Sequence, residues 1–214
     1  MLSPRPLRSC RTAVHPPRLA RRGASLLCAL LLGAGGLLFA GCGKSSSDAH
    51  PMGNGAAAAS FDQQFIDMMT PHHEGAVMMA GTAQQRAQHP ELKTLAGEMV
   101  AAQKREITDL KGWRKQWFGS DQTPSMDKMP MLPGMSHGSM MDMSKADAKL
   151  KTADPFDKAF IDAMIPHHQS AIEAAKMALQ KGEHAEIKTL AASIIASQQR
   201  EIEQLEAWRT QWYP

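Results

Sequence analysis

The chain has 214 residues, of which only 5% are aromatic, a composition that disfavours an all-β sandwich or barrel. Its formal charge of +3 comes from residues 1–41, which hold six arginines and no acidic residue; the remainder has 18 Lys plus Arg against 21 Asp plus Glu, a net charge of −3. Because no basic domain remains after residue 41, nucleic-acid binding loses its main electrostatic support.

The first 41 residues are typical of a targeting segment. An arginine-rich stretch precedes an apolar run over 24–40 that is too short and too glycine-broken for a membrane span and suits a signal peptide. The run ends in LFAGC, which resembles a bacterial lipobox and predicts a lipid on Cys42. An ordinary secretory signal with Cys42 as a free thiol is the alternative. We therefore expect an exported periplasmic or cell-envelope lipoprotein, held at the membrane by a flexible tether over 43–60.

An internal repeat organises the rest of the chain. Residues 61–118 align with 156–213 at a constant offset of 95 without a gap, and about half of the positions are identical. In each copy, apolar residues recur at helical spacing on both sides of a short break, so each copy predicts a helical hairpin. One hairpin cannot bury its apolar face alone. The sequence therefore predicts an all-α, ferritin-like four-helix bundle made of two hairpins, 61–119 and 156–214. Two separate hairpins that each pair with another chain are the alternative.

Proline and the connecting segment set further local expectations. Pro71 and Pro166 lie inside the first helix of each hairpin, where proline kinks a helix. We therefore expect a short first helix to about residue 69 and a kink or restart at Pro71. The segment 120–155 between the hairpins shows no helical period and is predicted to be a flexible, Met-rich linker.

Two His-His pairs occupy equivalent positions of the repeat, each after a proline and near the middle of its helix. Mid-helix residues can meet in the core whether the helices run parallel or antiparallel, so the four imidazoles could form one metal site. Imidazole binds Cu, Zn, Fe and Ni, and thioether binds Cu(I). The alternative is a core of hydrogen-bonded histidines filled by methionine. The candidate ligands are His72, His73, His167, His168, Met68, Met69, Met78, Met79 and Met164. Asp67 and Asp162 are candidates for orienting the imidazoles.

Thioethers also crowd the connecting segment, where Leu, Ile and Val are scarce. Such a segment makes a poor hydrophobic cluster but offers soft ligands that suit Cu(I) or Ag(I). The alternative is a linker with chance methionine enrichment. Its candidate ligands are Met126, Met129, Met131, Met135, His137, Met140, Met141 and Met143.

The pattern F-I-D-x-M followed by P-H-H, with Q-x-R-E-I and W-R downstream, resembles the domain of unknown function 305 family and its CopM-like branch. The resemblance covers 61–118 and 156–213, as two tandem copies. It implies a ferritin-like helical bundle, export and, in the copper-binding members, copper held by Met and His. The matching positions here are Met69, His72, His73, Met164, His167 and His168.

Together these patterns predict an exported copper-binding protein, not an enzyme, that buffers, sequesters or carries Cu(I), Ag(I) or Cu(II) in copper homeostasis or resistance. Its expected partners are copper ions and, through Cys42, the membrane. A ferritin-like di-iron or copper oxidase is one alternative, although a di-iron bundle uses Glu-x-x-His motifs that neither repeat contains. A structural or interaction lipoprotein without metal is the other.

Overall fold

The structure, a computed structural model, describes residues 59–135 and 143–214. These residues form α1 (Phe61–Arg86), α2 (Pro90–Phe118), α3 (Met143–Leu150), α4 (Phe156–Lys181) and α5 (Ala185–Trp212), with a 3-10 turn at Met126–Lys128 and no strand. The predicted all-α bundle is confirmed. The first hairpin (α1 and α2) packs on the second hairpin (α4 and α5) through contacts between α1 and α4.

The described residues contain no helix long and apolar enough to cross a membrane. The predicted signal peptide over 1–41, the lipidation site Cys42 and the tether up to residue 58 lie outside the described residues.

Local sequence explains where the helices of the first hairpin begin and end. Ser60 caps α1, because its hydroxyl accepts a hydrogen bond from the Gln63 backbone N–H at 3.2 Å. Helix α2 begins with Pro90, whose missing N–H is not needed in a first turn. It ends at Gly119, whose φ of 79° is the left-handed conformation that favours glycine.

Helices α1 and α4 continue through Pro71 and Pro166, so the predicted end of the first helix near residue 69 is wrong. A proline ring is compatible with a helical φ and removes one backbone donor, which is a local cost. Both sides of Pro71 are buried, with Met69 before it and Ala76 after it. Packing of this apolar face therefore holds α1 in one piece across the proline.

Two buried aspartates show how the hairpins are oriented. Asp62 at the start of α1 accepts hydrogen bonds from the backbone just before α5, including His184 N at 2.8 Å. Asp157 at the start of α4 does the same just before α2, with His89 N at 2.9 Å. The start of each first helix thus meets the end of the other, and α1 and α4 are antiparallel. Their midpoints, which carry the histidine pairs, lie at the same level.

The connecting segment departs from the prediction of a flexible linker without helix. It forms α3, which packs on α1, where Thr82 Oγ1 donates to Asp147 Oδ1 at 3.1 Å. Arg86 of α1 donates to the backbone carbonyl of Leu150, the last residue of α3. Before α3 in the chain, Leu132 and Met135 of the same segment are buried in the core cluster that contains Phe65 and Met69. Apolar residues spaced along the segment therefore anchor it at two points.

Candidate metal centre

The core histidines, as we call the two mid-helix pairs, are all buried where α1 and α4 cross. The ring centroids of His72 and His167 are 3.9 Å apart, so one imidazole of each hairpin contacts the other. Within each pair the rings point apart, with centroids separated by 6.2 Å in the first hairpin and 6.1 Å in the second. The two remaining imidazoles turn toward α2 and α5. The four core histidines are His72, His73, His167 and His168.

Two glutamates that the sequence did not single out lie beside the outer imidazoles. Glu106 Oε2 of α2 accepts a hydrogen bond from His73 Nε2 at 2.8 Å. Glu201 Oε2 of α5 lies 2.6 Å from His168 Nε2, but these two atoms do not have hydrogen-bond geometry. Both belong to the repeated Q-x-R-E-I stretch and stand at the same offset of 95 as the histidines. The repeat could therefore have identified them as a matched carboxylate pair, although it could not show which face of the helix they occupy.

Ser170 fixes the tautomer of the inner imidazole His72. Its hydroxyl donates its single proton to the His167 carbonyl at 2.7 Å, so it must accept from His72 Nε2, also at 2.7 Å. In the same way, a carboxylate can only accept from His73 Nε2 when the acid is ionised. Nε2 then carries the proton, and Nδ1 carries the lone pair.

The Nδ1 atoms of His72, His73 and His168 are buried and have no hydrogen-bond partner among the described residues. A buried acceptor left without a partner costs about 1–3 kcal/mol. A nitrogen lone pair of this kind is a candidate metal donor, because a bound ion would give it the partner that it lacks. Metal-binding histidines characteristically donate their other N–H to a carboxylate or similar acceptor, which is the pattern seen here.

Burial lowers the pKa of His72 and His167 well below the usual histidine range, and the neighbouring imidazoles lower it further. The unfolded chain takes up protons near a pKa of about 6.5 whereas these folded imidazoles stay neutral, so stability is present above that pH and is lost below it. We expect the free energy of unfolding of the metal-free protein to fall below pH ~6.5 by up to about 1.4 kcal/mol per pH unit for each imidazole. Urea unfolding followed by circular dichroism between pH 5 and 8 measures this.

The matched control for this pH dependence is the His72→Gln, His167→Gln double variant. Its amides do not titrate, so its stability should vary less between pH 7 and 5. Equal slopes for the variant and the wild type would contradict the assignment of the pH dependence to these two imidazoles.

The aspartates predicted to orient the imidazoles lie elsewhere. Asp67 Oδ1 accepts from Arg114 Nε at 2.5 Å, and Asp162 Oδ1 accepts from Arg209 Nε at 2.7 Å. These two ion pairs are equivalent in the repeat and join the first helix of each hairpin to its second. The structure therefore corrects the prediction: Glu106 contacts an imidazole and Asp67 contacts a guanidinium.

Thioethers share the helix faces of the core histidines. Met69 and Met164 precede their His pairs by one helical turn and, like Met68 and Met79, are fully buried; Met78 is half-buried. Within the described parts of the chain, no three His, Cys, Asp or Glu side chains form a group that could hold a metal ion. The predicted single site of four converging imidazoles is therefore not formed in this structure.

The methionines of the connecting segment are only partly described. Met135 is buried, while Met126, Met129 and Met131 are half-buried and the last two pack on the same core cluster as Met135. His137, Met140 and Met141 lie outside the described residues, as does the side chain of Met143, whose backbone begins α3.

Two further histidines lie at the ends of the bundle, away from the point where α1 and α4 cross. His89 and His184 each place Nδ1 at 2.6 Å from a buried aspartate, Asp157 and Asp62 respectively. Their rings stack on tryptophans at centroid distances of 3.7 Å. These histidines have structural partners on one nitrogen and on one face.

Comparison with known proteins places this arrangement in a family. CopM matches in its Cu(II)-bound form (44% identity, 71% of this chain and 97% of that one, TM-score 0.61) and in its Cu(I)-bound form (42%, 72% and 98%, 0.59). CopM in an Ag-bound form obtained by soaking matches at 40% identity over 72% and 98%, with a TM-score of 0.59. An uncharacterized protein of Acanthamoeba polyphaga mimivirus is 43% identical over 49 residues, and this chain spans about a third of its length, 32%.

The family described as Domain of unknown function (DUF305) matches residues 62–209, a span that covers nearly all of both hairpins and includes all four core histidines. The chain belongs to this family.

Proposed function

We propose that this protein binds copper, as Cu(I) and Cu(II), through the core histidines and their neighbouring methionines, and that it buffers or sequesters the metal. The observation that carries the proposal is the set of buried Nδ1 atoms of His72, His73 and His168, which have no hydrogen-bond partner among the described residues. The relation to CopM, which has been crystallised with Cu(I), Cu(II) and Ag, supports copper as the metal.

The chemistry of the donors favours copper over harder ions. Imidazole accepts Cu(I) and Cu(II), and a thioether adds affinity mainly for the softer Cu(I). A ligand histidine must also be neutral, because a protonated imidazole has no lone pair. Burial lowers the pKa of His72 and His167, which keeps these rings neutral at physiological pH. Neutral imidazoles beside buried thioethers form a soft, uncharged donor set.

The surrounding residues would set the orientation of the ligands before the metal arrives. Glu106 and Ser170 each hydrogen-bond to Nε2 of a core histidine, His73 and His72 respectively. Such outer contacts fix the tautomer and raise the basicity of the coordinating nitrogen. We infer that copper binds at Nδ1 and leaves these Nε2 contacts in place.

We further propose, from the sequence, that the methionines of the connecting segment add capacity for Cu(I) or Ag(I). The described part of the segment is anchored on the bundle, where Leu132 and Met135 belong to the core. We also propose, from the sequence alone, that the protein is exported and carries a lipid on Cys42. The constant offset of 95 supports an origin of the two hairpins as tandem copies.

The proposed function is tested by titrating the purified, metal-free protein with Cu(II) in air and with Cu(I) under a reductant, each against a chelator of known affinity. We expect at least one copper ion per chain in each oxidation state, with dissociation constants below about 1 μM. Mg(II) is the control, because it takes oxygen ligands and should not bind the imidazole and thioether donors.

Two results would contradict copper binding. The first is no stoichiometric copper in either oxidation state. The second is two tightly bound irons with no copper in protein isolated from its own cells, which would favour the oxidase alternative instead.

A further inference from the structure

We propose that the groove between α2 and α5 is the route by which metal ions reach the core histidines of the first hairpin, passing the carboxylate of Glu106, which stays on His73 Nε2 while the ion goes on to Nδ1. The inference rests on the proposed copper binding and extends it, since it assigns a path and not a further set of ligands. No ion can contact His73 directly from solvent, because its side chain has no exposed surface.

Glu106 joins the groove to the buried imidazole. The groove has a volume of about 780 Å³ and is lined by residues 102–113 of α2 and 185–197 of α5. Glu106 belongs to this lining and its side chain is 15% exposed, while its Oε2 lies 2.8 Å from His73 Nε2. One carboxylate thus touches both the open groove and the candidate ligand. Its partner in the repeat, Glu201, is not among the residues that line this groove.

The charges of the groove favour a cation. Its lining contains three carboxylates, from Glu106, Asp109 and Glu186, against one guanidinium, from Arg105. A cleft with an excess of one sign of charge raises the local concentration of the opposite ion and its association rate. A positive copper ion would therefore enter this groove more readily than it would approach a neutral surface.

Small side chains on α5 keep the groove open. Thr189, Ser193 and Ser197 recur every four residues, so they share one face of the helix and line the groove opposite Glu106. The repeat-related residues of α2 are Thr94, Glu98 and Ala102, so this run of small hydroxyl residues belongs to α5 alone. Filling this face with larger side chains should narrow the path without touching a core histidine.

Stopped-flow mixing of the metal-free protein with Cu(II), followed by tryptophan fluorescence, tests the route. In the Asp109→Asn, Glu186→Gln double variant, we expect association to slow about tenfold at low salt, with a weaker dependence on ionic strength. The matched control is Glu91→Gln with Glu98→Gln, which removes the same charge from exposed residues of α2 outside the groove lining. This control should retain the wild-type rate.

A second variant distinguishes movement of the ion through the groove from electrostatic attraction of the ion to it. Ser193→Phe with Ser197→Phe should slow association and dissociation together, by about tenfold, and leave the equilibrium affinity unchanged, because a narrowed path raises one barrier for both directions. Circular dichroism checks that both variants keep the helical content of the wild type.

The outcomes distinguish the route from the function. If the wild type binds copper and both groove variants keep the rates of the control, the route is wrong while copper binding stands. A loss of equilibrium affinity in the groove variants at an unchanged association rate would make these residues ligands and would also overturn the route. No copper binding by the wild type overturns both proposals.

Discussion

Replacing all four core histidines with alanine should lower the affinity for Cu(II) at least about 100-fold, because losing even one outer partner of a metal-bound histidine costs 10–100-fold. Cu(I) should lose less, since the buried thioethers of Met69 and Met164 remain. Competition titration in both oxidation states measures the two losses. The variant removes ring contacts between α1 and α4, so its helical content and unfolding midpoint are recorded in the same samples.

The matched control is the His89→Ala, His184→Ala double variant. It removes the two histidines at the ends of the bundle, whose Nδ1 atoms already contact aspartates, and should keep wild-type copper affinity. A second variant, Glu106→Gln with Glu201→Gln, keeps all ligands and loses the two carboxylates. We expect its affinity for Cu(II) to lie between that of the wild type and that of the four-histidine variant. Full Cu(II) affinity in the four-histidine variant would show that the core histidines serve packing alone.

Replacing Asp62 or Asp157 with alanine should each destabilise the fold by about 3 kcal/mol. Neither His89 nor His184 caps its own helix with its side chain. Instead, Asp62 accepts from two backbone N–H groups and an imidazole before α5, and Asp157 does the same before α2. Removing the carboxylate leaves these partly buried donors without their partner and removes a contact between the two hairpins. Urea unfolding at pH 7 measures the loss.

Asp162→Ala is the control for this prediction. Its side chain is 44% exposed and pairs with Lys158 and Arg209, so its loss should cost less than about 1 kcal/mol. The free energy of unfolding of Asp62→Asn should lie between that of Asp62→Ala and that of the wild type. An amide oxygen still accepts a hydrogen bond, although it carries no charge. If Asp62→Ala and Asp162→Ala destabilise the protein equally, the carboxylates across the hairpins do not hold them together.

The sequence predicted some of the features behind these two predictions and not others. The repeat and the helical spacing of its apolar residues predicted two hairpins in one bundle, and the structure confirms this fold. The His pairs were correctly placed in the core, because a mid-helix position stays level in an antiparallel pair as well as in a parallel one. Helical periodicity depends on residues three and four apart, so a single chain segment contains all the information it needs.

The orientation of polar side chains required the tertiary structure. Asp62, Asp67 and Glu106 are all acidic residues repeated at the same offset, and nothing local distinguishes their roles. Only the packing of α1 against α4 and α2 directs Asp62 to the other hairpin, Asp67 to Arg114 and Glu106 to His73.

Pro71 and the connecting segment show the same difference between local sequence preference and tertiary contacts. Proline has a strong local preference, which predicted a break at Pro71, but burial of the helix on both sides outweighs one lost backbone hydrogen bond. The segment 120–155 lacks a long helical period, yet α3 and Leu132 find partners on the bundle. The sequence by itself determined the helices, their pairing into hairpins and the level of the histidines, because these follow from short-range spacing. Hydrogen-bond partners, helix continuity and the anchoring of the connection were decided by contacts between residues far apart in the chain, which form only once the two hairpins have packed.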